Sequence, residues 1–219
     1  MAAHARAEQP PIKNVHALQS PRLGKLLDRL EQVVILVLWV ALLERVIRST
    51  NPYAPLLLVS ETAVLLFVLI RRPTEAITRK PGDWLLAITA TAAPLLVVPG
   101  QALLPQIVSL GILLVILGNA GQAAAKLALR RSFGIAPANR GVKVSGPYAL
   151  VRHPMYAGYL LVHIGNLLLF FSPLNLAIYA IGWTAQILRL QAEEKLLSQD
   201  EAYRAYREKV RFRLIPGVF

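Results

Sequence analysis

The chain has 219 residues, 55% of them hydrophobic and only 16% charged, with 24 basic residues against 12 acidic ones and no cysteine. Soluble domains carry roughly a quarter charged residues. A helix apolar all round must be buried on every side, and a 24.1 kDa chain has too little interior to bury six. The composition therefore argues against the alternative of a soluble all-helical protein. Disulfides, thiolate nucleophiles and cysteine-ligated metals are excluded, and no metal site is expected.

Residues 1–20 are rich in Ala, Pro and Gln and have no apolar signal core, so they are expected to form a mobile N-terminal tail. Residues 21–125 read as membrane scaffold. Their apolar runs are Val33–Leu43, Pro55–Ile70, Leu85–Val98 and Ile107–Leu117, with Tyr159–Phe171 and Leu174–Leu188 following in the last third. Extended to the roughly 20 residues that cross a bilayer, they predict an all-α, polytopic helical bundle of six spans, with five as the alternative. The expected spans are 32–48, 54–70, 84–99, 105–125, 156–171 and 174–190.

With the N-terminus in the cytosol, this arrangement places every basic residue except Arg45 and Arg48 on the cytosolic side. The positive-inside rule then requires both termini to be cytosolic. The net charge of +12 is thereby assigned to anionic lipid headgroups, and nucleic acid is not an expected partner. The Ala/Arg-rich, cysteine-free composition points to a bacterial inner membrane. Within the scaffold Glu61 falls mid-span, where an ionisable group is costly and marks a functional hypothesis. It is expected to pair with Arg189, to bind a substrate, or to hydrogen-bond to Asn119 or Gln122.

Residues 126–219 alternate basic loops, turns and short helices, and the chemistry is expected there, on the cytosolic side. Ser145-Gly146-Pro147 reads as a turn with Pro147 at a first helical position. Pro154 starts the fifth span and holds His153 extended at its cap. The N–H groups of Met155, Tyr156 and Ala157 at that helix start, beside Arg152 and His153, could receive a carboxylate or phosphate; simple contact of Arg152 with lipid headgroups is the alternative. Ser198-Gln199-Asp200-Glu201 reads as a capping box for the last helix, which ends the sixth span near Leu197. Glu193 and Glu194 then sit at a helix C-terminus, against the helix dipole. Arg189, one turn earlier, can support Glu193.

Together these pieces resemble one family. The run Gly146-Pro147-Tyr148-Ala149-Leu150-Val151-Arg152-His153-Pro154-Met155-Tyr156-Ala157-Gly158 is similar to the signature of the isoprenylcysteine carboxyl methyltransferases, whose relatives include phospholipid N-methyltransferases. The element Arg189 to Glu194, the acidic-aromatic stretch Asp200 to Tyr206 and the closing Arg211–Gly217 also match, so the resemblance covers roughly residues 126–219. It implies an enzyme that uses S-adenosyl-L-methionine to methylate a lipophilic or prenylated acceptor, with no obligate protein partner evident. It places the cofactor against Arg140, Gly141, Val142, Lys143, Tyr148, His153, Pro154, Met155, Tyr156, Gly158, Glu193 and Glu194, and turns Arg189 toward the acceptor. Gly158 would let the cofactor approach the helix, and Glu61 is the second candidate for the acceptor. Two other classes compete: a sterol-reductase-like membrane oxidoreductase using NADPH, against which Glu193-Glu194 would repel a pyrophosphate, and a non-enzymatic carrier, against which no mirrored pair of broken spans is found.

Overall fold

The computed structural model describes residues 21–70, 81–129 and 144–218; the tail at 1–20 and the cofactor candidates Arg140–Lys143 lie outside them. Every regular element among the described residues is helical. The order is α1 (Pro21–Ile47), α2 (Pro55–Ile70), α3 (Pro81–Ala92), α4 (Val108–Leu129), α5 (Pro154–Leu169), α6 (Pro173–Leu197) and α7 (Glu201–Lys209). Short 3-10 turns cover Ala93–Leu96, Pro105–Ile107 and Gly146–Ala149. Proline opens α2, α3, α5 and α6, where its fixed φ fits and its missing N–H costs nothing.

One end of the bundle is tied by side chains that reach across loops. Nδ2 of Asn51 donates to the Gly100 carbonyl at 2.6 Å. Asn175 accepts from the Val98 N–H at 3.0 Å and donates back to the Val98 carbonyl at 2.8 Å. The guanidinium of Arg45 donates to the carbonyls of Leu95 and Leu96 where α3 runs out. The end of α1, the start of α2, the end of α3 and the α5–α6 turn thus meet there, with Leu103 N–H bonded to the Leu168 carbonyl. The six long helices alternate in direction, and the start of α1 and the end of α6 share the opposite end. Arg45, one of two basic residues expected outside the cytosol, is held at this end of the bundle by those carbonyls.

The pair α4 and α5 crosses closely. A Cβ on Gly158 would lie 2.6 Å from Cγ of Gln122 and 2.8 Å from the Gly118 carbonyl, and one on Gly165 would lie 2.6 Å from the Gly111 carbonyl. Small residues on both helices let the backbones touch, the packing mode favoured where lipid offers no competing hydrophobic drive. Gly158 therefore serves this crossing.

Pro105–Ala128 is long and apolar enough to cross a membrane, and Pro55–Leu69, Leu85–Leu96 and Pro154–Leu169 are shorter apolar helices. At 1.5 Å per residue, the 16-residue α2 and α5 reach about 24 Å, against a hydrocarbon layer of roughly 30 Å. Large apolar side chains stand exposed along the helices, among them Val33, Val37, Val59, Leu66, Leu110, Leu113, Ile116, Leu174 and Ile181. The buried core lies between them, around Ile35, Leu42, Leu57, Val115, Leu169 and Phe170.

Candidate active site

The end of the bundle opposite Arg45 concentrates the buried charge. His153 is the N-cap of α5 with φ −128°, and Pro154 is its first residue, as expected. Ala157 N–H already bonds to the His153 carbonyl at 3.1 Å, so the free donors of this helix start are narrower than the three expected. The backbone N–H groups of Arg152 and His153 are taken by the carbonyls of Phe212 and Arg213, at 2.9 Å each. The C-terminal segment therefore closes over the segment before α5.

Glu194, 5% exposed, is the hub of this closure. Its Oε1 accepts from Nε of Arg152 at 2.8 Å and lies 3.2 Å from Nε2 of His153. Its Oε2 accepts from Nε of Arg213 at 2.9 Å. Burial pushes the Glu194 carboxyl up, but hydrogen bonds from His153 and Arg213 and the charges of His153 and Arg152 outweigh it and hold the pKa at about 2. Arg152 also donates through Nη1 to the carbonyls of Val210 and Arg211, at 3.1 and 2.8 Å. Arg152 is a structural clasp, which corrects the alternative of a headgroup contact alone.

Glu193, one position earlier and about 100° around the helix, faces elsewhere. Its Oε2 accepts from the Tyr156 hydroxyl at 3.0 Å. The Arg189 guanidinium lies 5.6 Å from the centroid of the same tyrosine ring, within cation–π range. Among the described residues no ion pair joins Arg189 to Glu193, which corrects the expected helix-face pair: Tyr156, coming from α5, engages both. Tyr148 is buried beside them in the Gly146–Ala149 turn. Its carbonyl accepts from the Tyr206 hydroxyl of α7 at 2.7 Å, and burial followed by the charge of Glu193 drives its own hydroxyl well above the usual tyrosine range.

From Tyr156 a cleft runs into the bundle, bordered by Glu61 and Thr91 on one side and by Met155, Tyr159, His163, Gln186 and Arg189 on the other. Glu61 is 6% exposed and Arg189 8%, and Nε of Arg189 and Oε1 of Gln186 have no hydrogen-bond partner among the described residues. Neither expected amide partner bonds to Glu61: Nδ2 of Asn119 donates to the Val115 carbonyl at 2.9 Å, and Gln122 accepts from Lys126 at 3.4 Å while its Nε2 has no partner among the described residues. Glu61 and Arg189 face one cleft without an ion pair between them.

Sequence reasoning missed Tyr159, His163, Gln186 and Arg213. The first two were detectable, because Tyr156, Tyr159 and His163 fall at i, i+3 and i+7 on one face of α5. Nδ1 of His163 accepts from the Nε1–H of Trp183 at 3.0 Å. The last helix also starts differently. Asp200 is the cap of α7, accepting from Ala202 N–H at 2.8 Å, while Ser198 closes α6 and donates to the Glu194 carbonyl at 2.6 Å. A carboxylate directly before Glu201 displaces the serine from the expected capping role.

Among the described residues the bundle is all helical, with large apolar side chains exposed on its exterior, a charged clasp at one end and a cleft with polar lining beside it. Residues 109–199 match the model of the Isoprenylcysteine carboxyl methyltransferase (ICMT) family, the family that the Gly146–Gly158 run resembles. That match covers α4, the turn at Tyr148, α5 and α6, the elements that build the site, and the family is one of membrane methyltransferases. No curated protein matches the chain.

Proposed function

We propose that the protein is a multi-pass membrane methyltransferase that moves the methyl group of S-adenosyl-L-methionine to a lipophilic acceptor, an isoprenylcysteine-type carboxylate or a lipid or isoprenoid analogue. The observation that carries this reading is that Tyr156 and Arg189 line one cleft together with Glu61, while the Tyr156 hydroxyl also bonds to Glu193. An acceptor whose hydrocarbon chain stays in the bilayer would present its polar end to Arg189.

The residues present fit the cofactor. It would supply a methyl group already activated on a sulfonium, so the protein has chiefly to align two reactants and exclude water. Glu193, oriented by Tyr156, is placed to accept hydrogen bonds from ribose hydroxyls or an amino group. The start of α5 at Pro154 and Met155, with His153 at its cap, suits a carboxylate, and Tyr148 walls the same corner. Glu194 acts one step back: its carboxylate is committed to Arg152, His153 and Arg213, and so it positions the His153 segment. Arg189, with an unpartnered Nε, can hold an acceptor carboxylate through two parallel hydrogen bonds, a reaction that needs no general base.

The deciding experiment incubates detergent-purified protein with methyl-labelled S-adenosylmethionine and a total membrane lipid extract. A labelled lipid formed by the protein and not by a boiled control identifies the acceptor. Saturable binding of NADPH instead of S-adenosylmethionine would overturn the reading in favour of a reductase. The proposed topology, six spans with both termini cytosolic, is checked by single-cysteine labelling in this cysteine-free chain. Exposed Ser145, replaced by cysteine, should react with an impermeant maleimide only from the cytosolic side.

A further inference from the structure

On the face of α7 away from the cleft, Arg204, Arg207 and Arg211 stand around a pocket whose floor is Arg152 and whose only acidic lining residue is Glu208. The arginine heads are held by neutral groups. Arg204 donates through Nη1 to the Ser198 and Gln199 carbonyls at 3.2 and 3.4 Å, and Arg207 to Oγ of Ser198 at 3.0 Å. Among the described residues neither they nor Arg211 form an ion pair, and Glu208 is not paired with any of them. Bonds to carbonyls and a hydroxyl fix the position of a guanidinium without cancelling its charge. Arg152 differs, because Glu194 neutralises it. The pocket therefore gathers three uncompensated guanidiniums against one carboxylate, with N–H groups to spare for an oxyanion.

Its border is apolar and exposed. Phe212 follows Arg211 and is 37% exposed, and Leu150, two residues before Arg152, is 69% exposed. The Arg152 N–H bonds to the Phe212 carbonyl at 2.9 Å, which fastens this border to the pocket floor. On the other side of α7, Tyr203 and Tyr206 are buried against the protein. A short helix that turns aromatic residues inward and arginines outward, flanked by exposed Leu and Phe, suits the boundary between headgroups and acyl chains.

We infer that α7 and the segment Val210–Arg213 form a docking site for the phosphodiester of an anionic membrane lipid, with Arg204, Arg207 and Arg211 on the phosphate and Leu150 and Phe212 on the chain. The inference requires that the protein sit in a membrane, but not that it transfer methyl groups. It fails or stands separately from the proposed reaction.

The test is calorimetric titration of the delipidated full chain, in an uncharged detergent, with short-chain phosphatidylglycerol, short-chain phosphatidylcholine and inorganic phosphate. Saturable binding of phosphatidylglycerol is expected, with phosphatidylcholine and phosphate each at least tenfold weaker. Arg211→Gln is the informative variant, because the Arg211 side chain makes no hydrogen bond within the described residues and its loss should not disturb the fold. It should weaken phosphatidylglycerol three- to tenfold, and Arg204→Gln/Arg207→Gln/Arg211→Gln further. Inorganic phosphate binding as tightly as the lipid would make this a site for a soluble phosphate and overturn the lipid assignment. Equal lipid affinity in wild type and Arg211→Gln, or no saturable binding, would overturn the site itself.

Discussion

The hydroxyl of Tyr156 donates to Glu193 at 3.0 Å, and this bond joins the start of α5 to the end of α6 across a separation of 37 residues. The Arg189 guanidinium rests over the same ring. A carboxylate and a guanidinium that share a helix face are thus kept apart by an aromatic side chain from another helix, and each keeps capacity for a ligand.

Glu193→Gln should weaken S-adenosylmethionine at least tenfold, about 1.4 kcal/mol, because it removes a half-buried charge that faces the proposed cofactor. Tyr156→Phe should show a smaller loss of the same kind. Glu201→Gln, at an exposed position in the first turn of α7, should bind like wild type. Calorimetric titration of the three variants checks this; equal affinity for Glu193→Gln and wild type would end the cofactor assignment.

Glu194→Gln should act on stability first. It strips the carboxylate from a buried Arg152 and His153, and breaking a buried pair from one side typically costs about 3–5 kcal/mol. The pH dependence has a definite sign. The folded value of about 2 lies below the ordinary 4.5, so protons bind preferentially to the unfolded chain. The stabilisation from Glu194 is complete above the ordinary value and declines as pH falls from there toward 2. Thermal melts in detergent should show a gap between wild type and Glu194→Gln that is constant near pH 6–7 and narrows below about pH 4.5. A gap that widens on acidification would contradict the clasp.

Gly158→Ala should destabilise by about 1–3 kcal/mol through overpacking, since its new methyl group meets the Gly118 carbonyl at 2.8 Å. Gly121→Ala is the control. Nothing lies within 4 Å of its Cβ, and alanine in a helix interior is worth about 0.5–1 kcal/mol over glycine. The two substitutions should shift the melting temperature in opposite directions.

Arg189→Lys separates acceptor from cofactor. Lysine keeps the charge but loses the planar fork and the stacking over Tyr156. Cofactor affinity should change by less than threefold, and methyl transfer to the identified acceptor should fall by tenfold or more. Both quantities are measured on one preparation, and near-normal turnover would remove Arg189 from the acceptor site.

The sequence alone determined the helices and their punctuation. Proline opens α2, α3, α5 and α6 because only a helix start tolerates it, and α6 ends at Leu197 as its closing polar residues required. The Tyr156-Tyr159-His163 face was equally legible in the spacing. What a residue faces across the bundle was not. Glu193 and Glu194 are adjacent and chemically identical, yet one faces Tyr156 and the other binds Arg152, His153 and Arg213, the last from a segment 19 residues downstream. The contact of Gly158 with α4 was equally hidden in the sequence. Periodicity fixes the face of a helix on which a side chain lies. Which neighbour meets that face depends on how the helices cross, and that is set by packing between residues far apart in the chain.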